Sequence, residues 1–103
     1  MKPYRVELAP EALEQANAID EWWRQNRPAA RELFVAELTV ALERLEVSPL
    51  SAVRYDEGGL AGLRRLFLPR TRYHVYFTVD EDEAAVRVHA VWHSAKGHGP
   101  RLP

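Results

Sequence analysis

The chain has 103 residues, with 14 Lys+Arg against 15 Asp+Glu, a net charge of −1 and no cysteine. That length suits one domain, residues 1–103, with a single core that needs no staples; the missing thiols exclude disulfides, thiolate metal sites and cysteine nucleophiles. No basic segment followed by an apolar stretch opens the chain, and no apolar run approaches the roughly 20 residues that span a bilayer, so neither a secretion signal nor a membrane helix is expected and a cytoplasmic location suits the composition.

Tyr4, Val6 and Leu8 alternate with Arg5 and Glu7, which reads as a short opening strand. Pro10 fits the first turn of a helix, where its missing N–H costs nothing, and Glu11 and Glu14 favour the positive helix end. Ala12, Ala16, Ile19 and Trp23 then recur at helical spacing. Trp22 and Trp23 cannot both face one core, so one of them is expected at the surface or under a loop. Asn26 is expected to end this helix in a left-handed conformation, and Pro28 to start a second after a connection of one or two residues. The second helix reads to about Glu46, with Ala30, Phe34, Leu38, Ala41 and Leu45 as its buried stripe, widened by Leu33 and Leu42, and Ser48-Pro49 as its stop. So short a connection predicts an antiparallel helical hairpin.

Residues 50–61 show little period, and Gly58-Gly59 is the clearest breaker. Leu63 to Leu68 reads as a strand, and Pro69 to Thr71 as the turn into the next. Tyr73, Val75, Phe77 and Val79 alternate with His74, Tyr76 and Thr78, and Val86, Val88, Ala90 and Trp92 alternate with Arg87, His89, Val91 and His93. The acidic tetrad Asp80 to Glu83 is the turn between these runs. The order strand-helix-helix-strand-strand-strand predicts an α+β fold, a helical hairpin packed on an antiparallel sheet whose last three strands form a meander. Residues 94–103 read as an irregular, flexible tail.

Strict alternation in both runs would gather His74, Tyr76, Arg87, His89 and His93 on one open sheet face. Histidine titrates near pH 6.5 and suits proton transfer. The first 50 residues hold 6 basic and 9 acidic side chains and the remainder 8 and 6, with Arg64, Arg65, Arg70 and Arg72 clustered. This basic patch is too small to make the whole protein a generic nucleic-acid binder; Arg64 and Arg65 can also simply pair with Asp56 or Glu57. Four residues on a strand separate His89 from His93 by about 13 Å, too far to share a metal ion, so no metal or other cofactor is expected.

The combination resembles the RelE/ParE superfamily of type II toxins, over nearly the whole chain. YRVELAPEALEQANAIDEWW resembles the family's first strand and helix, and LERLEVSP the end of its second helix. GLRRLFLPRTRYHVYFTVDED followed by VRVHAVWHSAKGHGP resembles its arginine-bearing strand, its tyrosine-rich strand and its closing strand with a basic, Gly- and Pro-containing tail. The resemblance implies a toxin neutralised by a cognate antitoxin in a hetero-oligomer, with the helical-hairpin groove and the edge of the first strand as docking places. It leaves two targets open: RelE-like and YoeB-like members cleave mRNA in the ribosome, whereas ParE-like members poison DNA gyrase.

If this chain is a metal-independent nuclease, His93 and His74 are the candidates for proton transfer and Arg65 for the cation, and of these the resemblance matches His93 and the basic character at Arg65. The nuclease pattern is incomplete on either template. Where RelE-like members carry catalytic arginines this chain has His74 and, at about the second position, Ser94; no tyrosine follows Tyr76 to match their C-terminal one. In YoeB-like members a histidine matching His93 acts with a neighbouring tyrosine, which Ser94 replaces. The ParE-like reading is therefore favoured, with Arg64, Arg65, Arg72, Tyr76 and Lys96 as target-binding residues. A third reading is an inactive relative that only binds antitoxin.

Overall fold

The computed structural model describes residues 2–102. Two helices pack on one face of a five-stranded sheet. The elements are β1 (Arg5–Leu8), α1 (Pro10–Asn26), α2 (Leu33–Val47), β2 (Val53–Arg54), β3 (Arg64–Leu68), β4 (Tyr73–Asp80) and β5 (Ala85–His93), with short 3-10 turns between them. The strand order is β1-β5-β4-β3-β2. The predicted meander β3-β4-β5 is antiparallel, but β1 joins β5 in parallel, so the sheet is mixed. The parallel join follows from the chain path: α1 and α2 carry it across the sheet between β1 and the meander.

Pro10 opens α1 and Glu11 sits in its first turn. The end of α1 departs from expectation. Arg27, not Asn26, is the C-cap, at φ −133 and ψ 69, and Pro28–Ala30 form a 3-10 turn before α2 begins at Leu33. The residue before a proline is pushed out of the helical region, and this restriction falls on Arg27. Asn26 instead donates its side-chain amide to the Trp22 carbonyl, 2.9 Å away.

The core lies between the helices and the sheet. Phe34, Leu38, Ala41 and Leu45 from α2 and Ala12 and Ala16 from α1 meet Val75, Phe77, Val86, Val88 and Val91. Each fully buried large apolar side chain stabilises the fold by roughly 1.5–3 kcal/mol. Trp23 packs against this core, while Trp22 is 44% exposed under the Arg27 guanidinium.

Two long-range polar contacts tie helices to strands. β1 ends opposite Val88, and beyond it the Gln15 side-chain oxygen accepts the Val91 N–H at 2.8 Å, standing in for a strand partner. On the other flank Glu37 accepts hydrogen bonds from the Arg70 N–H, the Thr71 N–H and the Thr71 hydroxyl at 2.6–2.9 Å. These hold the Pro69–Arg72 turn, in which Arg72 adopts a left-handed φ of 71.

The pattern of β5 is broken by a bulge. Phe77 pairs with Val88 and Tyr76 with Ala90, leaving His89 as the extra residue. The two halves of β5 therefore present opposite phases. Val86, Val88 and Val91 face the helices, whereas Ala90 and Trp92 join the outer face. The predicted single polar face does not form. His74, Tyr76, Arg87 and His89 lie on the outer side, but His93 shares the register of Tyr73, at the rim of the helix-covered side.

The outer face is not open either. Leu63, Tyr76 and Ala90 form a second buried cluster, covered by Tyr55, Leu60, Trp92 and Leu102. Of the predicted flexible tail, Pro103 lies outside the described residues and the rest packs: Pro100 is buried, Leu102 donates its N–H to the Gly58 carbonyl at 3.1 Å, and Trp92 Nε1 donates to the His98 carbonyl at 2.9 Å. Among the described residues no helix is long and apolar enough to cross a membrane.

Candidate functional site

A cleft of about 320 Å³ opens on the outer face, lined by Tyr55, Glu57, Arg65, His74, Tyr76, His93, Ser94, Gly97, His98 and Gly99. Its floor is β3 and β4, where the outward register places Arg65 opposite Tyr76 and Phe67 opposite His74. Its walls are the 55–63 connection and the segment after β5. The structure therefore brings Arg65, His74, Tyr76 and His93 together despite the bulge, because His93 turns the corner at the strand end.

Arg65 is held by aromatic groups. Its guanidinium carbon stands 4.6 Å from the centre of the Tyr55 ring, and one of its nitrogens points to the Tyr76 hydroxyl at 3.4 Å. Tyr76 is only 1% exposed and meets Tyr55 edge-on at 5.1 Å. His74 packs beside both Phe67 and Tyr76. Burial lowers the pKa of His74, and the Arg65 charge lowers it further, so its ring is neutral at pH 7. The His93 ring meets Tyr73 edge-on, and its Nδ1 accepts the Ala95 N–H at 3.0 Å. An accepting Nδ1 puts the proton of the neutral ring on Nε2.

The remaining basic residues point elsewhere. Arg64 lies in register with Phe77, on the helix side, and donates to the carbonyls of Leu50 and Ala52 at 3.2 and 2.8 Å. Its pairing with Asp56 or Glu57 is not observed, nor is that of Arg65. Arg72 lies 5.7 Å from the centre of the half-exposed Phe67 ring, at the outer edge of the turn. Lys96 caps the Trp92 ring at 4.4 Å. The basic residues are thus a dispersed band with separate partners, and of the four only Arg65 lines the cleft. Away from this band, Thr78 and His89 hydrogen-bond at 2.8 Å, and His89 is lowered by burial and by Arg87, against an opposing pull from Glu11. Among the described residues no group of three or more His, Asp or Glu side chains converges as metal ligands would.

Chemically the cleft offers one guanidinium, three imidazoles, two phenols and the Glu57 carboxylate, a set that can hold a hydrogen-bonding group. Sequence reasoning missed Tyr55 and the packed 97–102 segment. A tyrosine before an Asp-Glu-Gly-Gly loop carries no periodic signal, and a Gly- and Pro-rich tail reads as disorder until its contacts are seen. On the opposite side, an apolar groove between α2 and β3 is lined by Leu33, Val40, Leu66, Phe67 and Pro69, with Val40 65% exposed. β1 forms one edge of the sheet.

Several solved structures share this fold. The chromosomal ParDE toxin-antitoxin system of P. aeruginosa superposes with a TM-score of 0.69 at 18% identity, covering 87% of this chain and 95% of that one. The RelBE2 toxin-antitoxin complex of Mycobacterium tuberculosis gives 0.63 at 21% identity, covering 88% and 98%. A mutant of the E. coli toxin RelE in the free state gives 0.55 at 21% identity, covering 91% and 86%. At these identities the likeness is one of fold. A search of curated protein sequences finds no match. Residues 6–97 match the family described as the ParE toxin of the type II toxin-antitoxin system parDE, and with that match spanning most of its length the chain belongs to the ParE toxin family.

Proposed function

We propose that this toxin arrests growth in the cytoplasm by binding and poisoning DNA gyrase, and that a cognate antitoxin restrains it. The observation that carries this reading is the dispersal of the basic residues around the cleft. Arg65 alone reaches its interior, stacked on Tyr55, while Arg64 is turned to backbone carbonyls and Ser94 stands beside His93. Metal-free cleavage of RNA needs a base, an acid and cations converging on one phosphate. A band of separated cations and aromatic rings suits recognition of a protein target better. Membership in the ParE family supports the same reading.

The antitoxin follows from the family, and relatives of this fold have been solved as toxin-antitoxin complexes. The α2–β3 groove and the β1 edge are its proposed docking places, the first for an amphipathic helix and the second for an added strand.

One observation favours a second reading. The cleft does gather Arg65, His74 and His93, which a ribosome-dependent endoribonuclease would use. Purified protein should block gyrase supercoiling or trap gyrase-cleaved DNA; no effect at micromolar concentration counts against the first reading. Codon-periodic cleavage of mRNA after induction supports the second. Normal growth with abundant folded protein would leave antitoxin binding as its sole activity.

A further inference from the structure

We propose that Tyr55 is a positioning residue that aims Arg65 into the cleft, and that the 97–102 segment, through Gly99, sets where Tyr55 stands. The inference rests on the cleft being the target-binding site.

The contact of Arg65 with the Tyr76 hydroxyl is long, at 3.4 Å, and holds the guanidinium weakly. Neither Asp56 nor Glu57 pairs with it. The Tyr55 ring, 4.6 Å away, is what fixes its plane. Tyr55 is itself anchored by its N–H to the Leu63 carbonyl at 2.8 Å and by edge contact with Tyr76.

The far end of the ring abuts Gly99. A Cβ built on Gly99 would collide with the Tyr55 hydroxyl and lie 2.9 Å from Cζ. Gly99 is thus the residue that lets the segment close onto the ring. The segment is fastened on both sides of Gly99, by Trp92 Nε1 to the His98 carbonyl and by the Leu102 N–H to the Gly58 carbonyl. A partner that lifts the segment would release Tyr55 and with it the orientation of Arg65, without touching the cleft floor.

His74 supplies a readout independent of any target, since burial first and the Arg65 charge second hold its pKa down. NMR titration of the His74 ring and gyrase inhibition are to be followed together in the full chain. Tyr55→Phe keeps the ring and should match the parent in both. Tyr55→Leu and Gly99→Ala should each raise the His74 midpoint toward the ordinary value and weaken inhibition about threefold, the scale of a partly exposed cation–aromatic contact. In an Arg65→Ala background, Gly99→Ala should leave His74 unmoved, because the two act through one guanidinium. An unchanged His74 in folded Tyr55→Leu or Gly99→Ala overturns the proposal, as does Tyr55→Phe behaving like Tyr55→Leu. If Tyr55→Leu does not fold, Gly99→Ala in the two backgrounds decides. If the parent does not inhibit gyrase, the gyrase reading fails while the titration still tests the coupling.

Discussion

The two faces of the sheet are built on opposite logics. The helix-covered face interlocks apolar side chains from both helices and three strands of the sheet, and its members have little freedom to change. The outer face rests on a small cluster of Leu63, Tyr76 and Ala90, and above it the contacts are rings, cations and loop carbonyls. Stability is therefore concentrated on one side and adjustable chemistry on the other. Substitutions should separate the two properties.

The largest effect on stability is expected from Phe34→Ala. This ring is fully buried and meets Tyr73 edge-on at 5.3 Å, so its loss should cost about 3–5 kcal/mol in urea unfolding. A loss under about 1 kcal/mol would erase the contrast between the faces. Next comes Glu37→Ala, which strips three donors of the β3–β4 turn of their acceptor and should cost about 1–3 kcal/mol, with faster amide exchange at Thr71.

Arg65→Ala should change stability by no more than about 1 kcal/mol, since it forfeits one partly exposed cation–aromatic contact, yet abolish growth inhibition on expression. Retained toxicity with Arg65→Ala would place the target surface elsewhere. The smallest effect is on pH dependence. His74 and His89 have folded pKa values below the unfolded value, so the unfolded chain binds their protons first. Their contribution to stability is complete above about pH 6.5 and declines as pH falls from there through the folded values. The double variant His74→Gln, His89→Gln should show a shallower loss of stability between neutral and mildly acidic pH.

Much of the inner face was legible in the sequence because it obeys periods. Phe34, Leu38, Ala41 and Leu45 recur at helical spacing, and Tyr73, Val75, Phe77 and Val79 alternate, and those side chains do pack on the core. The outer face was less legible because its determinants are not periodic. The bulge at His89 displaces the alternation, although three successive apolar residues, Ala90, Val91 and Trp92, were its trace. Of the site, Arg65, His74, Tyr76 and His93 do meet, but Arg64 parted from Arg65 because neighbours on a strand face opposite ways. Tyr55 and Gly99 join the cleft through loop packing, which no spacing rule anticipates.

The extra residue at His89 gives β5 two reading frames in one strand. Upstream, odd-numbered Arg87 looks outward and even-numbered Val86 and Val88 inward; downstream the parity is exchanged. Lengths on either side of such a point are not interchangeable. Deleting His89 would restore a single frame with the faces kept, Val91 and His93 inward and Trp92 outward, whereas straightening β5 with His89 retained would drive Trp92 toward the helices and turn Val91 and His93 outward. The bulge is thus what lets one strand keep Val88 and Val91 in the inner core and Ala90 and Trp92 in the outer cluster.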